Sequence, residues 1–294
     1  MKQRIRGSKF QEHYNQPQLF FNSLTAYEKK HLIDAISFEL DHCDDPVVYQ
    51  TYTNVLNCID FEMAKNVARN VGSTIPDKPG RENHGKTSKS LSQRYYEPKV
   101  PTIVERRIAI LVEDGFDLEE VTAVRNALTS AKARTFIIGP RRGKVYPSGE
   151  HADAKKGIKA DHHFEGQRST LFDALYIPSG GQHIDALAKN GRVVQYVREA
   201  FGHCKAIGAV GYAVEFLREV VNLPGVEFQH GDSANVTSSY GVITTGKVKP
   251  KSVATDELEI KPGSKDFTVE FAYATSRHRW YEREMDGLTS RVAY

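Results

Sequence analysis

Arg106-Arg107-Ile108-Ala109-Ile110-Leu111-Val112-Glu113-Asp114-Gly115-Phe116-Asp117 decides the fold of this 294-residue chain. Ile108 to Val112 is an unbroken apolar run, the pattern of a strand buried on both faces of a sheet. A tight acidic turn carrying Gly115 follows, and helical spacing begins at about Leu118. The same alternation continues downstream. Residues 135–139 form a second strand, and residues 174–178 a third that runs into Ser179-Gly180-Gly181. Val193, Val194, Val197 and Phe201 then recur at helical spacing, a strand spans 205–210, and a helix follows over 213–221. A last helix is expected from Ser264, carrying Phe267, Phe271, Ala274, His278 and Tyr281. Short strands alternating with helices predict an α/β domain over 106–294 with a doubly wound parallel sheet.

Upstream the character changes twice. Residues 1–72 read as α-helical. Thr25-Ala26-Tyr27-Glu28 is a capping box, and Leu32, Ile33, Ile36 and Leu40 then line one expected buried face. A second helix is expected from Pro46, with Val55, Leu56, Ile59, Met63, Val67 and Val71 on one side and Gly72 as its left-handed cap. Two such helices make a thin core, so this segment needs a larger body to pack against. Residues 73–105, with Pro76-Asp77-Lys78-Pro79-Gly80-Arg81 and Lys86-Thr87-Ser88-Lys89, read as an extended linker.

Composition narrows the classes of partner. With 40 basic against 37 acidic residues the net charge is only +3, and the basic residues form no stripe interleaved with aromatics. No nucleic-acid role is expected. The longest apolar candidate, residues 206–214, contains Gly208 and Gly211 and is about half the length that spans a bilayer, so no membrane partner is expected either. The polar start Met1-Lys2-Gln3-Arg4-Ile5-Arg6 lacks the apolar stretch of a secretory signal, and the compartment stays open. Cys43, Cys58 and Cys204 are sparse and widely spaced, which argues for reduced structural thiols rather than a disulfide framework or a zinc site. Asn235-Val236-Thr237 is a sequon of the kind that arises by chance.

In open α/β sheets, chemistry gathers where strands deliver loops at their carboxyl ends, here residues 113–120, 179–184 and 211–214. Ile110 to Val121, Pro178-Ser179-Gly180-Gly181, Lys205 to Ala213 and Val236-Thr237-Ser238-Ser239 together resemble the class I glutamine-amidotransferase-like superfamily, in particular its PfpI-type branch. The resemblance implies a flavodoxin-like fold with a cysteine on a strained strand-to-helix elbow and a glutamate beside it. Here the elbow falls on Gly211, followed by Tyr212, and a shift of one residue gives Val210 or Tyr212, none of them a nucleophile. Glu120 matches the acid but is left with nothing to activate, so Gly211, Tyr212 and Glu120 read as a vestigial site. Cys204 lies one strand length before the elbow and is expected at the opposite edge of the sheet. Lys205, Asp185 and His183 read as solvated or capping residues. Gly180-Gly181 serves a turn before an oxyanion. Asp161-His162-His163-Phe164-Glu165 invites a metal, but adjacent histidines on a strand face opposite ways.

The first segment carries the sharper likeness. Arg4 to Ser23, Glu28-Lys29-Lys30-His31, Phe38-Glu39-Leu40, Asn54-Val55-Leu56 and the helix ending at Gly72 resemble the helical segment that follows the haem core of catalases. Large-subunit catalases append a PfpI-like domain after such a segment, and His278-Arg279-Trp280-Tyr281-Glu282-Arg283-Glu284 is similar to the end of fungal members. The resemblance implies that this is the C-terminal region of a haem catalase that decomposes hydrogen peroxide, with the catalase core and sister subunits of a homotetramer as partners. It also implies that the catalytic histidine and asparagine and the tyrosine ligand of the haem lie upstream of this stretch, so His13 and Tyr14 do not take those roles. Neither cofactor nor metal is therefore expected on these residues. The expected role is structural support, with a chaperone (holdase)-like capture of unfolded client proteins by apolar faces left uncovered. The alternative is a cysteine-independent or vestigial hydrolase or glyoxalase, which a serine or Cys204 beside Glu120 at the carboxyl edge of the sheet would revive.

Overall fold

The computed structural model describes residues 2–149, 156–248 and 258–293. Met1 and Tyr294, the outer limits of the divisions read from the sequence, lie outside the described residues. The chain divides into two compact units, Met1–Pro98 and Lys99–Tyr294.

The first unit holds four helices: α1 (Asn15–Ser23), α2 (Ala26–Asp41), α3 (Pro46–Asn57) and α4 (Phe61–Val71). The capping box opens α2, with Thr25 donating from its backbone N and its Oγ1 to Glu28 Oε2 at 2.7 and 2.8 Å. The single helix expected from Pro46 to Gly72 is two. Asp60 adopts an extended conformation and accepts from Met63 N at 2.8 Å, so a local side-chain cap replaces helix continuation and α4 starts afresh. The break rotates the faces, and Val55 is exposed rather than buried. Gly72 does close α4 in the left-handed conformation, at φ 73°. Phe21, Leu40, Leu56, Met63, Ala64 and Val67 form the core, while Leu32, Ile33 and Ile36 are only half-covered. Residues 73–98 lie along these helices. Gln18 Nε2 donates to Glu82 O at 3.2 Å, Ser88 N to Ser23 Oγ at 2.8 Å and Gln93 N to Glu28 Oε1 at 2.8 Å.

The second unit runs β1 (Arg107–Leu111), α5 (Leu118–Ser130), β2 (Arg134–Gly139), β3 (Lys144–Val145), β4 (Ile158–Lys159), β5 (His162–His163), β6 (Ala174–Ile177), α6 (Gly181–Ala188) and α7 (Gly191–Gly202). It continues through β7 (Ala206–Val210), α8 (Tyr212–Glu215), β8 (Val236–Ser239), β9 (Val242–Thr245), α9 (Phe267–Ser276) and α10 (Glu282–Met285). A seven-stranded sheet has the order β5-β2-β1-β6-β7-β9-β8, parallel throughout except for β8 against β9. The mixed α/β architecture read from the alternating pattern is therefore present. Successive residues of each strand face opposite layers. Leu111, Leu175 and Ile207 pack with α6 and α7, and Ile110, Tyr176 and Val210 pack with α5 and α9. Gly208 is small because a Cβ there would come within 2.9 Å of the Phe271 ring.

Two helices differ from expectation. The last one begins at Phe267, where Asp266 accepts from Thr268 N at 3.0 Å, and it ends at Ser276 ahead of His278, whose φ is 65°. The helix expected over 213–221 is α8 followed by a wider π-helical turn, Phe216–Val221, closed by Asn222 at φ 56°. Among the described residues no helix is long and apolar enough to cross a membrane.

Candidate functional site

β1, β6 and β7 lie side by side and end on one edge of the sheet, so the three loops that leave them converge. Asp117 caps α5 by accepting from Glu120 N at 3.0 Å, which sets Glu120 in the first turn. From there Glu120 Oε1 accepts from Tyr176 Oη at 2.5 Å and from Ser179 N at 3.0 Å. Burial outweighs these two bonds and raises the Glu120 carboxyl to about 7, far above the usual carboxylate range. Tyr176 is fully buried, and burial beside Glu120 pushes its phenol well above its ordinary value, so it remains a donor.

Gly180 holds φ 139°, and a Cβ on it would sit 2.4 Å from Gly115 O. Asp117 N donates to Ser179 O at 2.9 Å across the same contact. Glycine is thus required at 180 by the backbone of the facing loop. At Gly211 the chain turns from β7 into α8 with φ 56° and ψ −122°, a sharp strand-to-helix elbow of the kind that displays nucleophiles. A Cβ on Gly211 would stand 2.4 Å from Ser179 Oγ and 3.3 Å from Gly246 O. The serine hydroxyl therefore fills the space that an elbow side chain would use. A cleft of about 190 Å³ opens over this point, lined by Ser179, Gly211, Tyr212, Glu215, Gln229 and Asp232 among others.

Of the residues singled out in the sequence, Glu120 and Gly211 are linked through Ser179, while Tyr212 stands on the rim with 63% of its surface exposed. Cys204 precedes β7 and its thiol donates to Glu284 Oε1 at 3.6 Å, away from the elbow that follows the strand. Burial pushes that thiol up to about 12, which keeps it protonated. Asp185 is exposed, but His183 and Lys205 are not the solvated residues expected. His183 is buried on the face of α6 that carries Ile184 and Leu187, accepts from Glu113 N at 2.9 Å, and is driven down to about 3 by burial. Lys205 donates to Ser169 O at 2.5 Å, and burial lowers it to about 8. The spacing 183, 184, 187 was the available signal for the first, since it marks one helix face. For Lys205 the adjoining strand gave no such signal. Ser179 was also missed as a site residue, although it directly follows a buried strand and precedes two glycines. His162 packs near Phe136 and His163 Nδ1 accepts from Glu165 N at 3.0 Å. Among the described residues no group of three or more His, Cys, Asp or Glu is placed to hold a metal ion.

Chemically, the edge offers a carboxyl that titrates near neutrality, a neighbouring hydroxyl and an elbow without a side chain. Residues 7–71 match the family described as "Catalase-related immune-responsive", and residues 105–257 match "C-terminal domain found in long catalases". The chain is 45% identical to Catalase A of Aspergillus fumigatus over 297 aligned residues, which cover 100% of this chain and 39% of that protein. It is 44% identical to Catalase A of Emericella nidulans, covering 100% of this chain and 40% of that one. It is also 44% identical to Catalase-1 of Neurospora crassa, covering 100% of this chain and 39% of the relative. The chain thus spans about two fifths of the length of the curated relatives it matches.

Proposed function

The chain belongs to the family of C-terminal regions of long catalases, and we propose that it is a non-enzymatic accessory region of such a catalase. In the parent it would support the assembly around a haem core that decomposes hydrogen peroxide, with sister subunits as partners. The observation that carries this reading is the apolar surface left open on the helical unit. Phe38 on α2 is 64% exposed and Val47 on α3 68%, and Val48, Tyr52 and Val55 of α3 are exposed as well. Apolar faces of that kind are built to be covered, and uncovered they capture unfolding chains. We read the holdase-like activity of the separate chain from this.

The two family matches end at residue 71 and begin at residue 105, which supports the division into a helical segment 1–72, a linker 73–105 and a domain 106–294. Without the minor strands and β8, the sheet order β2-β1-β6-β7-β9 corresponds to 2-1-3-4-5 in order of appearance. That order, with the elbow at Gly211, supports the flavodoxin-like, PfpI-type reading. Among the described residues, His13 and Tyr14 are not placed to hold the haem of the parent. His13 is exposed, and the Tyr14 ring lies beneath the Arg81 guanidinium, 5.9 Å from its centroid. The two side chains pack edge to face on each other rather than over a cavity.

A second reading, a cysteine-independent hydrolase, rests on one observation: Ser179 stands at the carboxyl end of β6 with its backbone bonded to Glu120. Hydrolysis of a p-nitrophenyl ester tests it; turnover that disappears in Ser179→Ala carries it, and no turnover ends it. The accessory reading is tested by light scattering of a heat-unfolding client enzyme. The expected result is suppression at near-stoichiometric ratios, weakened in Phe38→Ser/Val47→Ser. Suppression equal to that of an inert control protein would leave the holdase activity without support.

A further inference from the structure

Asn235-Val236-Thr237 is the only Asn-X-Ser/Thr triplet in the chain. Sequence alone gives it no more than chance standing, and its place in the fold adds two properties. The first is access. Asn235 is exposed and stands immediately ahead of β8. Its backbone N donates to Ser233 Oγ at 3.2 Å, while its side-chain amide has no hydrogen-bond partner among the described residues. Nδ2 can therefore carry a bulky group without breaking a bond. Thr237 is half-buried, and its hydroxyl donates to Gln229 Oε1 at 3.2 Å. β8 pairs with β9, which follows it in the chain, so the triplet is synthesised before the strand that locks it.

The second property is the edge. The seven-stranded sheet ends in β5 on one side and in β8 on the other. β5 has two residues, and shortness is one way in which a free edge avoids pairing with another chain. β8 has four, Val236-Thr237-Ser238-Ser239, with neither a charge nor a proline among them. Ser238 is exposed and the other three are half-buried. The loop before β8 meets it through side chains, with Glu227 N donating to Ser239 Oγ at 3.1 Å, and adds no further strand. This edge thus lacks the lysines, prolines and shortness that keep free edges apart. A glycan on Asn235 stands at its start, where a large hydrated group hinders the approach of a second strand.

We propose that Asn235 is an N-glycosylation site of this chain in the secretory pathway, and that its glycan guards the β8 edge. The donor is a lipid-pyrophosphate-linked oligosaccharide. Asn235 Nδ2 forms a bond to C1 of the first sugar, and the C1–O bond to the pyrophosphate breaks. The lipid pyrophosphate leaves with the electron pair of that bond, and the amide gives up one proton. The test is secretion of the 294-residue chain from yeast behind a cleavable signal, followed by peptide mass spectrometry and sedimentation. One glycan is expected, on Asn235, removed by a peptide N-glycosidase, kept in Thr237→Ser and absent from Asn235→Gln and Thr237→Ala. Self-association should rise at least about twofold in Asn235→Gln, and Asn235→Lys, which puts a charge at the same place, should lower it again. Unmodified Asn235 in the secreted chain, or a glycan that persists in Asn235→Gln, would overturn the site. Equal self-association of the glycosylated chain, Asn235→Gln and Asn235→Lys would overturn the guarding role.

Discussion

Gly211 and Glu120 carry opposite kinds of information about the carboxyl edge of the sheet. At Gly211 an added methyl meets mainly a serine hydroxyl at 2.4 Å, which can rotate, and at Gly180 it meets a backbone carbonyl at 2.4 Å, which cannot. Gly211→Ala is therefore expected to cost about 1–2 kcal/mol, mostly from the positive φ, and Gly180→Ala more than about 3 kcal/mol. Combined with each, Ser179→Gly should recover part of the first loss and none of the second, as chemical denaturation of the two single and two double variants would reveal. Glu120 supplies a pH signature. Because burial raises its carboxyl from 4.5 to about 7, the folded chain keeps a proton that the unfolded chain releases. The favourable contribution is complete below about pH 4.5 and is lost as pH rises through about 7. Glu120→Gln keeps a neutral acceptor for Tyr176 and Ser179, so it should match the unaltered chain near pH 4 and exceed it by roughly 3 kcal/mol at pH 8. His183, which titrates in the other direction, is the same in both chains and cancels in the difference. A difference that stays flat from pH 4 to 8 would show that Glu120 is not buried as described. Strand ends located the loops that hold Glu120 and Gly211, and the family resemblance singled out these two residues within them. The sequence did not disclose the role of Ser179, since contact between two loops is a property of sheet order and not of local spacing.

At the scale of elements, the buried strands were the most legible. An unbroken apolar run such as 108–112 has one good solution, and β1, β2, β6 and β7 each begin and end within about a residue of the expected limits. Helix ends were read less well because they depend on single capping atoms. Asp60 interrupts what periodicity alone continues, and the same holds at Asp266. Asp60→Ala removes the acceptor for Met63 N and should cost about 1 kcal/mol, with circular dichroism showing a lower melting temperature for the helical signal. Unchanged melting would mean that packing of Met63, Ala64 and Val67 alone positions α4. The short strands β3, β4 and β5 have only two residues each, too few to leave a period in the sequence.

For the whole molecule, family membership and an uncovered helical surface point the same way. A chain that matches two fifths of each long relative, and that presents Phe38 and Val47 to solvent, is suited to be one part of a larger assembly. Composition gave none of this: an ordinary 39% hydrophobic content does not reveal which apolar residues lie outside. Order of segments did, because a helical stretch, a linker and an α/β domain together are more specific than any one of them. The most direct test is sedimentation of this chain mixed with a long catalase of the family shortened by the stretch that this chain matches. The accessory reading predicts a complex with the mass of the complete oligomer and a higher melting temperature than the shortened enzyme alone. Independent sedimentation at every ratio, with no change in that melting temperature, would contradict it.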